Sequence, residues 1–211
     1  MKKLIALAFA ASLMLAVGTQ AFAQITVSGG LMTNTIGRHQ TGTDTETLTG
    51  IGLYAGGSYD YALPVKGISV EPGLFLQFTN KYSEDGMDLI GQSPYSTAKF
   101  SETALNIPVM VKYTYDAAYV KAGPGILFGL SSKTTAVDTD RTYNHYGNGD
   151  FKRFNLYIGA EAGADLGKVT IGLGVASGLL NSADKNYPSD VFLRRTLFYA
   201  GLGFKLDNLF K

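Results

Sequence analysis

The sequence has 211 residues with 18 basic and 17 acidic side chains, no cysteine and no tryptophan. Its formal net charge of +1 excludes the basic footprint of a nucleic-acid-binding protein. The absence of cysteine excludes disulfide scaffolds, thiolate zinc sites and cysteine nucleophiles. The 26 glycines, 13 tyrosines and 12 phenylalanines favour β structure.

The first 23 residues predict a cleavable signal peptide. Lys2 and Lys3 give a positive start, residues 4–17 are largely apolar, and Ala21-Phe22-Ala23 forms a cleavage site directly before Gln24. The alternative is a membrane-anchoring helix, but the apolar stretch is shorter than the about 20 residues that a span needs. We therefore expect export, with residues 24–211 as one mature domain.

Eight segments alternate apolar and polar residues with the period of a β-strand. In the third segment, for example, Ile68, Val70 and Leu74 fall on one side, and Ser69 and Glu71 on the other. A helix would mix the two sets over its surface, so the pattern excludes one. The predicted strands span 25–36, 49–62, 68–79, 101–115, 119–131, 152–166, 169–180 and 193–206.

Short and long connections alternate between these strands. Tight turns are predicted at 64–67, 116–118 and 167–168, and long polar loops at 37–48, 80–100, 132–151 and 181–192. Bacterial outer-membrane barrels have short periplasmic turns, long outer loops and an even number of strands. The sequence therefore predicts an all-β fold, an eight-stranded antiparallel up-and-down transmembrane β-barrel.

A soluble lipocalin-like barrel or a sandwich is the alternative, with its apolar residues turned inward. Two features favour the membrane barrel. One set of alternating residues is charged and rich in glycine, which suits a lumen. Tyrosines also cluster beside the short turns, as in the aromatic belt of a membrane interface: Tyr59, Tyr61, Tyr113, Tyr115 and Tyr119.

Proline and glycine residues inside the predicted strands predict local features of the barrel wall. Pro72, Pro108 and Pro124 each remove a ladder hydrogen bond. Because a closed barrel has no edge strand to accept them, we expect a β-bulge at each proline. Strand glycines are expected to leave room for bulky inward neighbours in a narrow barrel.

Two consecutive segments look familiar. Residues 107–113 read Ile-Pro-x-x-x-Lys-Tyr, and residues 120–124 read Val-x-Ala-Gly-Pro. This pair resembles the PorT-like family of outer-membrane β-barrel domains, and residues 151–163, 172–181 and 198–204 are similar to later strands of that family. The resemblance implies eight strands and export to the outer membrane. Some PorT-like members are tied to secretion machinery, and the resemblance provides no catalytic residues.

The charges of the inward set are balanced, five against five. Because an unpaired charge in a lumen is costly to desolvate, this balance favours a neutralised, hydrogen-bonded plug over an ion path. The cations are Lys112, Lys121, Arg153, Arg195 and Lys205, and the anions are Asp60, Glu71, Glu102, Glu161 and Asp165. The predicted lumen charge network consists of Glu71, Lys112, Lys121, Glu161 and Arg195.

Candidates for chemistry are few. The two histidines, His39 and His145, fall in different predicted outer loops, where we expect solvated side chains and a weak metal site at best. We therefore predict no enzymatic activity and assign no catalytic, metal-binding or cofactor-binding residue. The outer loop at 141–150 is rich in aromatic, amide and glycine residues, and Tyr143, His145 and Tyr146 are its predicted contact surface.

Together these patterns predict an outer-membrane barrel with a structural or binding role, for example as a subunit of an envelope or secretion assembly. The expected partners are outer-membrane lipid and other envelope proteins reached through the outer loops, and not nucleic acid. Three alternatives stay open: an outer-rim enzyme acting on lipid or peptide, a narrow pore, and a soluble lipocalin-like carrier.

Overall fold

The computed structural model of the chain describes residues 23–40, 46–83, 98–136 and 142–206. They form nine strands and one short helix: β1 (Ala23–Gln40), β2 (Glu46–Ala62), β3 (Ile68–Ser83), β4 (Ala98–Tyr115), β5 (Ala118–Ala136), β6 (Thr142–Asn144), α1 (His145–Asn148), β7 (Phe154–Asp165), β8 (Val169–Gly178) and β9 (Val191–Leu206). No helix among these residues is long and apolar enough to cross a bilayer. The predicted signal peptide lies outside them, except for Ala23, where β1 begins.

Eight of the strands close into a ring. Each strand pairs antiparallel with its neighbours in the order β1-β2-β3-β4-β5-β7-β8-β9, and β9 pairs back with β1. The three-residue β6 is additional and pairs only with the end of β5. The predicted eight-stranded antiparallel barrel is therefore confirmed.

Three short turns join strands at one end of the barrel, which we call the turn end. Each contains a residue with positive φ: Gly67 between β2 and β3, Asp116 between β4 and β5, and Gly167 between β7 and β8. Glycine adopts this conformation without steric cost, and aspartate tolerates it better than most residues. The opposite end, which carries the long connections, is the loop end.

The apolar residues of the strands face outward and the charged ones face the lumen. Leu53 and Leu173 are 58% and 66% exposed, whereas Glu71 and Lys112 are 8% and 5% exposed. A soluble barrel has the reverse arrangement, so the structure corrects the alternative of a lipocalin-like carrier. On β5 the outward apolar run extends from Val120 to Leu130. At about 3.4 Å per residue and a tilt of about 40°, it covers roughly 26 Å, the height of a membrane barrel's apolar band.

The predicted tyrosine belt is present at the turn end with one correction. Tyr113 and Tyr115 are exposed on the outer face, and Tyr59 and Tyr61 are half-buried on the same side of their strand. Tyr119 is buried instead, because it alternates with Val120 and shares its inward face with Lys121. It belongs to the lumen.

The barrel wall is uneven at the loop end. Strands β1 to β5 have 16–19 residues, but β7 and β8 have only 12 and 10. Residues 145–153 and 179–190, which we call the cap, complete the wall and the core there, and Phe151 bridges to Ala183. The cap also continues the sheet, since the Ser182 N–H donates to the Leu193 carbonyl at 3.0 Å. The predicted loops at 37–48 and 132–151 are shorter than expected, because β1, β2 and β5 extend into them.

The three strand prolines cause no bulge. Pairing of β2 with β3 passes from Ser58↔Gly73 to Tyr61↔Val70, omitting two pairs beside Pro72 without a shift of register. The same two-pair gap occurs beside Pro108 towards β3 and beside Pro124 towards β4. The register shift of β4 with β5 lies elsewhere, between residues 103 and 104. The expected bulges were wrong, because each missing N–H interrupts one ladder locally and the flanking pairs hold the register.

Inward tyrosines lie over glycines on neighbouring strands, as expected for a narrow barrel. A Cβ at Gly125 would be 2.1 Å from the ring of its cross-strand partner Tyr157. Gly174 has the same relation to Tyr199, at 2.2 Å. These glycines let large rings lie flat along the inner wall.

Candidate functional site

The turn-side half of the lumen contains an inner charge cluster formed by Asp60, Glu71, Lys112, Lys121, Glu161 and Tyr119. The Lys121 ammonium lies 2.8 Å from a Glu71 oxygen and 3.1 Å from a Glu161 oxygen. The Lys112 ammonium lies 2.9 Å from Asp60 and 3.7 Å from Glu71. The Tyr119 hydroxyl donates to Glu161 at 2.7 Å.

The strand register explains why this cluster needs three carboxylates. Lys112 and Lys121 are direct cross-strand partners on β4 and β5, an arrangement in which like charges repel. Glu71 on β3 contacts both ammonium groups and so joins the two lysines. Asp60 and Glu161 complete the chain at its two ends, which leaves every charge of the cluster with an opposite partner.

Four inward tyrosines surround a small cavity between this cluster and the middle of the barrel. They are Tyr54, Tyr119, Tyr157 and Tyr199, and the cavity has a volume of about 80 Å³. That space holds on the order of three waters, since each occupies about 30 Å³ in the liquid. The cavity suits ordered water better than an organic ligand.

An apolar layer separates the cavity from the loop-side half of the lumen. It consists of Met32, Ala104, Leu127, Tyr157, Ala176 and Leu197, all buried. On β4 the inward order is Lys112, then Ala104, then Glu102, so the layer lies between two charged levels. Ions crossing the lumen would have to pass it.

Above the layer lies the outer charge pair, Glu102 and Arg195. These side chains are 2% and 4% exposed and form an ion pair from β4 to β9, which stand four strands apart on opposite sides of the ring. The Asn34 amide and the Tyr146 hydroxyl also donate to Glu102, at 2.9 Å and 2.6 Å. One carboxylate thus ties together both walls and the cap.

The cap is attached to the wall through a buried chain of three polar side chains, which we call the latch. The Thr134 hydroxyl of β5 lies 2.7 Å from His145 Nε2, and His145 Nδ1 lies 2.9 Å from an Asp150 oxygen. The Asn186 amide donates to the other Asp150 oxygen at 2.8 Å, which joins the two cap segments. The imidazole also packs against Phe100 and Phe151.

Burial lowers the pKa of the His145 imidazole below its usual value of 6.5, and Asp150 opposes this shift only in part. The neutral imidazole is therefore favoured in the folded cap. In that form one ring nitrogen donates and the other accepts, which suits a position between a hydroxyl and a carboxylate.

The structure brings together four members of the predicted lumen network, Glu71, Lys112, Lys121 and Glu161. Arg195 is separate from them and pairs with Glu102. Of the other charges expected inside, Lys205 pairs with Asp165 near the turn end. Arg153 is exposed instead, and its guanidinium donates to the Gly129 and Leu130 carbonyls.

The predicted contact surface of Tyr143, His145 and Tyr146 was wrong, because these side chains pack inward in or beside the cap. His145 is 1% exposed and not a solvated loop histidine. Tyr146 turns its hydroxyl inward to Glu102, and Tyr143 is half-buried beside Asp150. These aromatic side chains pack inward because the short β7 and β8 leave a gap in the wall for the cap to fill.

Sequence reasoning missed Thr134, Asp150 and Asn34 as members of the lumen networks. Thr134 has one signal, since it lies two residues beyond Ser132 on the inward side of β5. Asp150 carries no periodic signal, because it belongs to an irregular segment. Among the described residues no cluster of three or more potential ligands forms a metal site.

Comparisons with known proteins agree with this architecture. Residues 9–184 match the outer membrane protein beta-barrel domain family. No curated protein matches the chain. Among solved structures, the chain is similar to Ail, the attachment invasion locus protein of Yersinia pestis, in complex with the heparin analogue sucrose octasulfate. That likeness has a TM-score of 0.53 at 12% identity and covers 87% of this chain and 99% of Ail.

Neisserial surface protein A is a second similar structure, with a TM-score of 0.53 at 10% identity over 88% of this chain and 99% of that protein. At such low identity these likenesses show the fold alone. The family match covers most of the sequence and agrees with the outward apolar face and the closed ring. The chain belongs to the outer membrane protein beta-barrel domain family.

Proposed function

We propose that this barrel is a plugged structural or binding element of the outer membrane, with no chemistry of its own, that contacts another envelope component through its loop end. The observation that supports this function most directly is the filled lumen. The inner charge cluster, the apolar layer and the outer charge pair follow one another along the barrel. A barrel filled in this way offers its outer surface as the place for contacts.

The cap suits a contact surface because its attachment to the wall gives it a fixed shape. The latch and the Glu102 contacts hold the cap against the wall, while Asn148, Lys185 and Asn186 remain exposed on it. Binding to a surface that is already ordered costs less conformational entropy than binding to a free loop. The PorT-like resemblance is consistent with a role in an envelope or secretion assembly, which we include in the proposal.

An outer-rim enzyme has one observation in its favour. The latch orders a hydroxyl, an imidazole and a carboxylate as hydrolases do. However, Thr134 is 1% exposed and His145 likewise, so a substrate has no approach to the hydroxyl. The latch is better explained as a structural attachment of the cap. Ester hydrolysis that is lost in Thr134→Ala but retained in Thr135→Ala would support the enzyme instead.

Site-specific photo-crosslinking in intact cells tests the binding role. A photoreactive residue at Asn148 or Lys185 on the cap is expected to give a discrete adduct with an envelope protein, identified by mass spectrometry. The matched control places the same residue at Lys66 or Asp116, which are exposed at the turn end. Absence of cap adducts, or equal adducts from both ends, would overturn the proposal.

A further inference from the structure

Exposed cations form a cationic collar around part of the outer wall at the loop end. Lys99 lies on β4, Lys133 on β5 and Arg194 on β9, and Lys152 and Arg153 lie directly before β7. All five side chains are exposed, and the alternation of the strands places Lys99, Lys133 and Arg194 on the outer face of the ring. The collar thus spans the neighbouring strands β4, β5 and β7, with one further member on β9.

The collar lies just beyond the apolar band. On β5 the outward apolar run ends at Leu130, and Lys133 follows three residues later. With about 3.4 Å per residue and a tilt of about 40°, Lys133 lies roughly 8 Å beyond Leu130. The headgroup layer on each side of the hydrocarbon core is on the order of 5–8 Å thick, so the lysine reaches that layer.

The collar charges face no carboxylate within the described residues. The ion pairs there involve lumen and cap side chains and none of the five collar cations. Asp190, an exposed acid of the cap, accepts a hydrogen bond from the Gln40 amide and not from a collar cation. Outward residues at this level on β1, β2 and β3 are uncharged or weakly basic, namely His39, Thr47 and Asn80. As far as the described residues go, the collar therefore keeps its positive potential.

Two collar lysines are close enough to share one anion. Lys99 pairs with Thr135 across β4 and β5, which places Lys133 on the diagonal from Lys99. Diagonal neighbours on one face of an antiparallel pair are roughly 7–8 Å apart, within reach of two long side chains. The described part of the turn end lacks such a set, because its exposed Lys66 and Lys168 lie in different turns and Asp116 lies between them in sequence.

We propose that the cationic collar binds the phosphate groups of anionic lipid headgroups in the outer leaflet, with Lys99 and Lys133 as its central pair. Ammonium groups in the headgroup layer of a membrane attract such phosphates, and each contributes separately to the attraction. The lipid-facing wall then anchors the barrel at a fixed depth with its cap above the surface. This inference concerns the wall and not the cap, so it stands or falls separately from the crosslinking result.

Binding of fluorescently labelled phosphatidylglycerol tests the collar, measured by anisotropy with the full mature chain in zwitterionic detergent at low salt. The double variant Lys99→Gln/Lys133→Gln is expected to bind more weakly by roughly fivefold for each lysine removed, about 25-fold in all. The matched control Lys66→Gln/Lys168→Gln is expected to bind like the wild type. Labelled phosphatidylcholine, with no net charge, is expected to bind both variants and the wild type equally.

Three outcomes would overturn the proposal. The first is unchanged phosphatidylglycerol affinity in the collar variant, and the second is an equal loss in the turn-end control. The third is displacement of the labelled lipid by inorganic phosphate at equal concentration, which would indicate a soluble-phosphate site. Each variant is first checked for the mobility shift on boiling in SDS, so that loss of fold is not mistaken for loss of binding.

Discussion

Glu102 accepts contacts from three side chains, those of Arg195, Asn34 and Tyr146. Removing one member of a buried ion pair leaves an uncompensated charge, which costs about 3–5 kcal/mol. We expect Arg195→Met to lower the free energy of unfolding by about that amount. Urea titration in detergent, followed by far-ultraviolet circular dichroism because the chain has no tryptophan, measures it.

Two further variants separate charge from packing. Glu102→Met/Arg195→Met removes both charges and is expected to recover most of the loss, because buried ion pairs exchange for apolar pairs at little cost. Arg194→Met changes the exposed neighbour and is expected to alter stability by less than about 0.5 kcal/mol. A double variant as unstable as the single one would show that the pair itself stabilises the barrel.

His145 makes the attachment of the cap sensitive to pH. The folded cap lowers the pKa of His145 below 6.5, so the unfolded or opened cap binds more protons in the window below that value. The stability of the cap is therefore complete above pH 6.5 and falls as the pH drops towards the folded pKa. The charged groups that influence the imidazole are Asp150, Glu102 and Arg195.

Hydrogen exchange of the amides at 145–151 between pH 7.5 and 5 measures this opening after correction for intrinsic exchange rates. The protection of these amides is expected to decrease as the pH is lowered, both in the wild type and in His39→Gln, which removes the other histidine. It is expected to vary little in His145→Gln. If His145→Gln shows the same pH dependence as the wild type, a carboxylate and not the histidine controls the cap.

At the level of the strand, apolar alternation predicts where each strand crosses the membrane but not where it ends. Residues 132–136 continue β5 with polar side chains such as Ser132 and Thr134, so the alternation of apolar residues disappears although the strand does not. The predicted loops consequently began too early. The turns were predictable, because tight turns require residues that tolerate positive φ. Gly67 and Gly167 are such residues and adopt positive φ in the structure.

The sequence predicts which side chains face the lumen, but it does not predict which of them pair with each other. Alternation places Lys112, Lys121 and Glu161 inside, whereas the pairing of Arg195 with Glu102 depends on which strands stand opposite in the closed ring. Tyr119 could have been assigned by its register with Lys121. The cap could not, since His145 is buried by Phe100 and Phe151 from distant segments and no local pattern encodes that contact.

The prolines form a weak diagonal across β3, β4 and β5. Next to the pair Pro108↔Gly125, Pro124 lies opposite Val109. Because proline has no backbone N–H, the Val109 carbonyl lacks a hydrogen-bond donor on β5. An unpaired carbonyl in an apolar surrounding costs about 1–3 kcal/mol. Pro124→Ala restores the donor and loses only about 0.4–1 kcal/mol through greater freedom of the unfolded chain. We expect a net gain in stability of about 1 kcal/mol in the urea titration.

Pro64→Ala is the control for that gain, because Pro64 lies in an exposed turn outside the strands. It is expected to lower stability slightly, since only the unfolded-chain contribution applies. Equal effects from both substitutions would mean that the gap beside Pro124 is already satisfied in the folded barrel.

For the molecule as a whole, the order of its layers decides whether the lumen conducts. From the turn end, ions would meet the inner charge cluster, the tyrosine-lined cavity, the apolar layer, the outer charge pair and then the buried core of the cap. An eight-stranded barrel has an interior just wide enough for side chains to fill, and these layers fill it. A charged species in the apolar layer would lose hydration without gaining a partner.

We therefore expect no steady unit conductance when the protein is inserted into planar bilayers, at either polarity and in molar salt. The folded state of the protein is verified by the mobility shift on boiling in SDS, and boiled protein is the negative control. A reproducible unit conductance would contradict the filled lumen. If its ion selectivity also changed in Lys121→Gln, the ions would be passing the inner charge cluster, and the pore would replace the binding element as the explanation of this barrel.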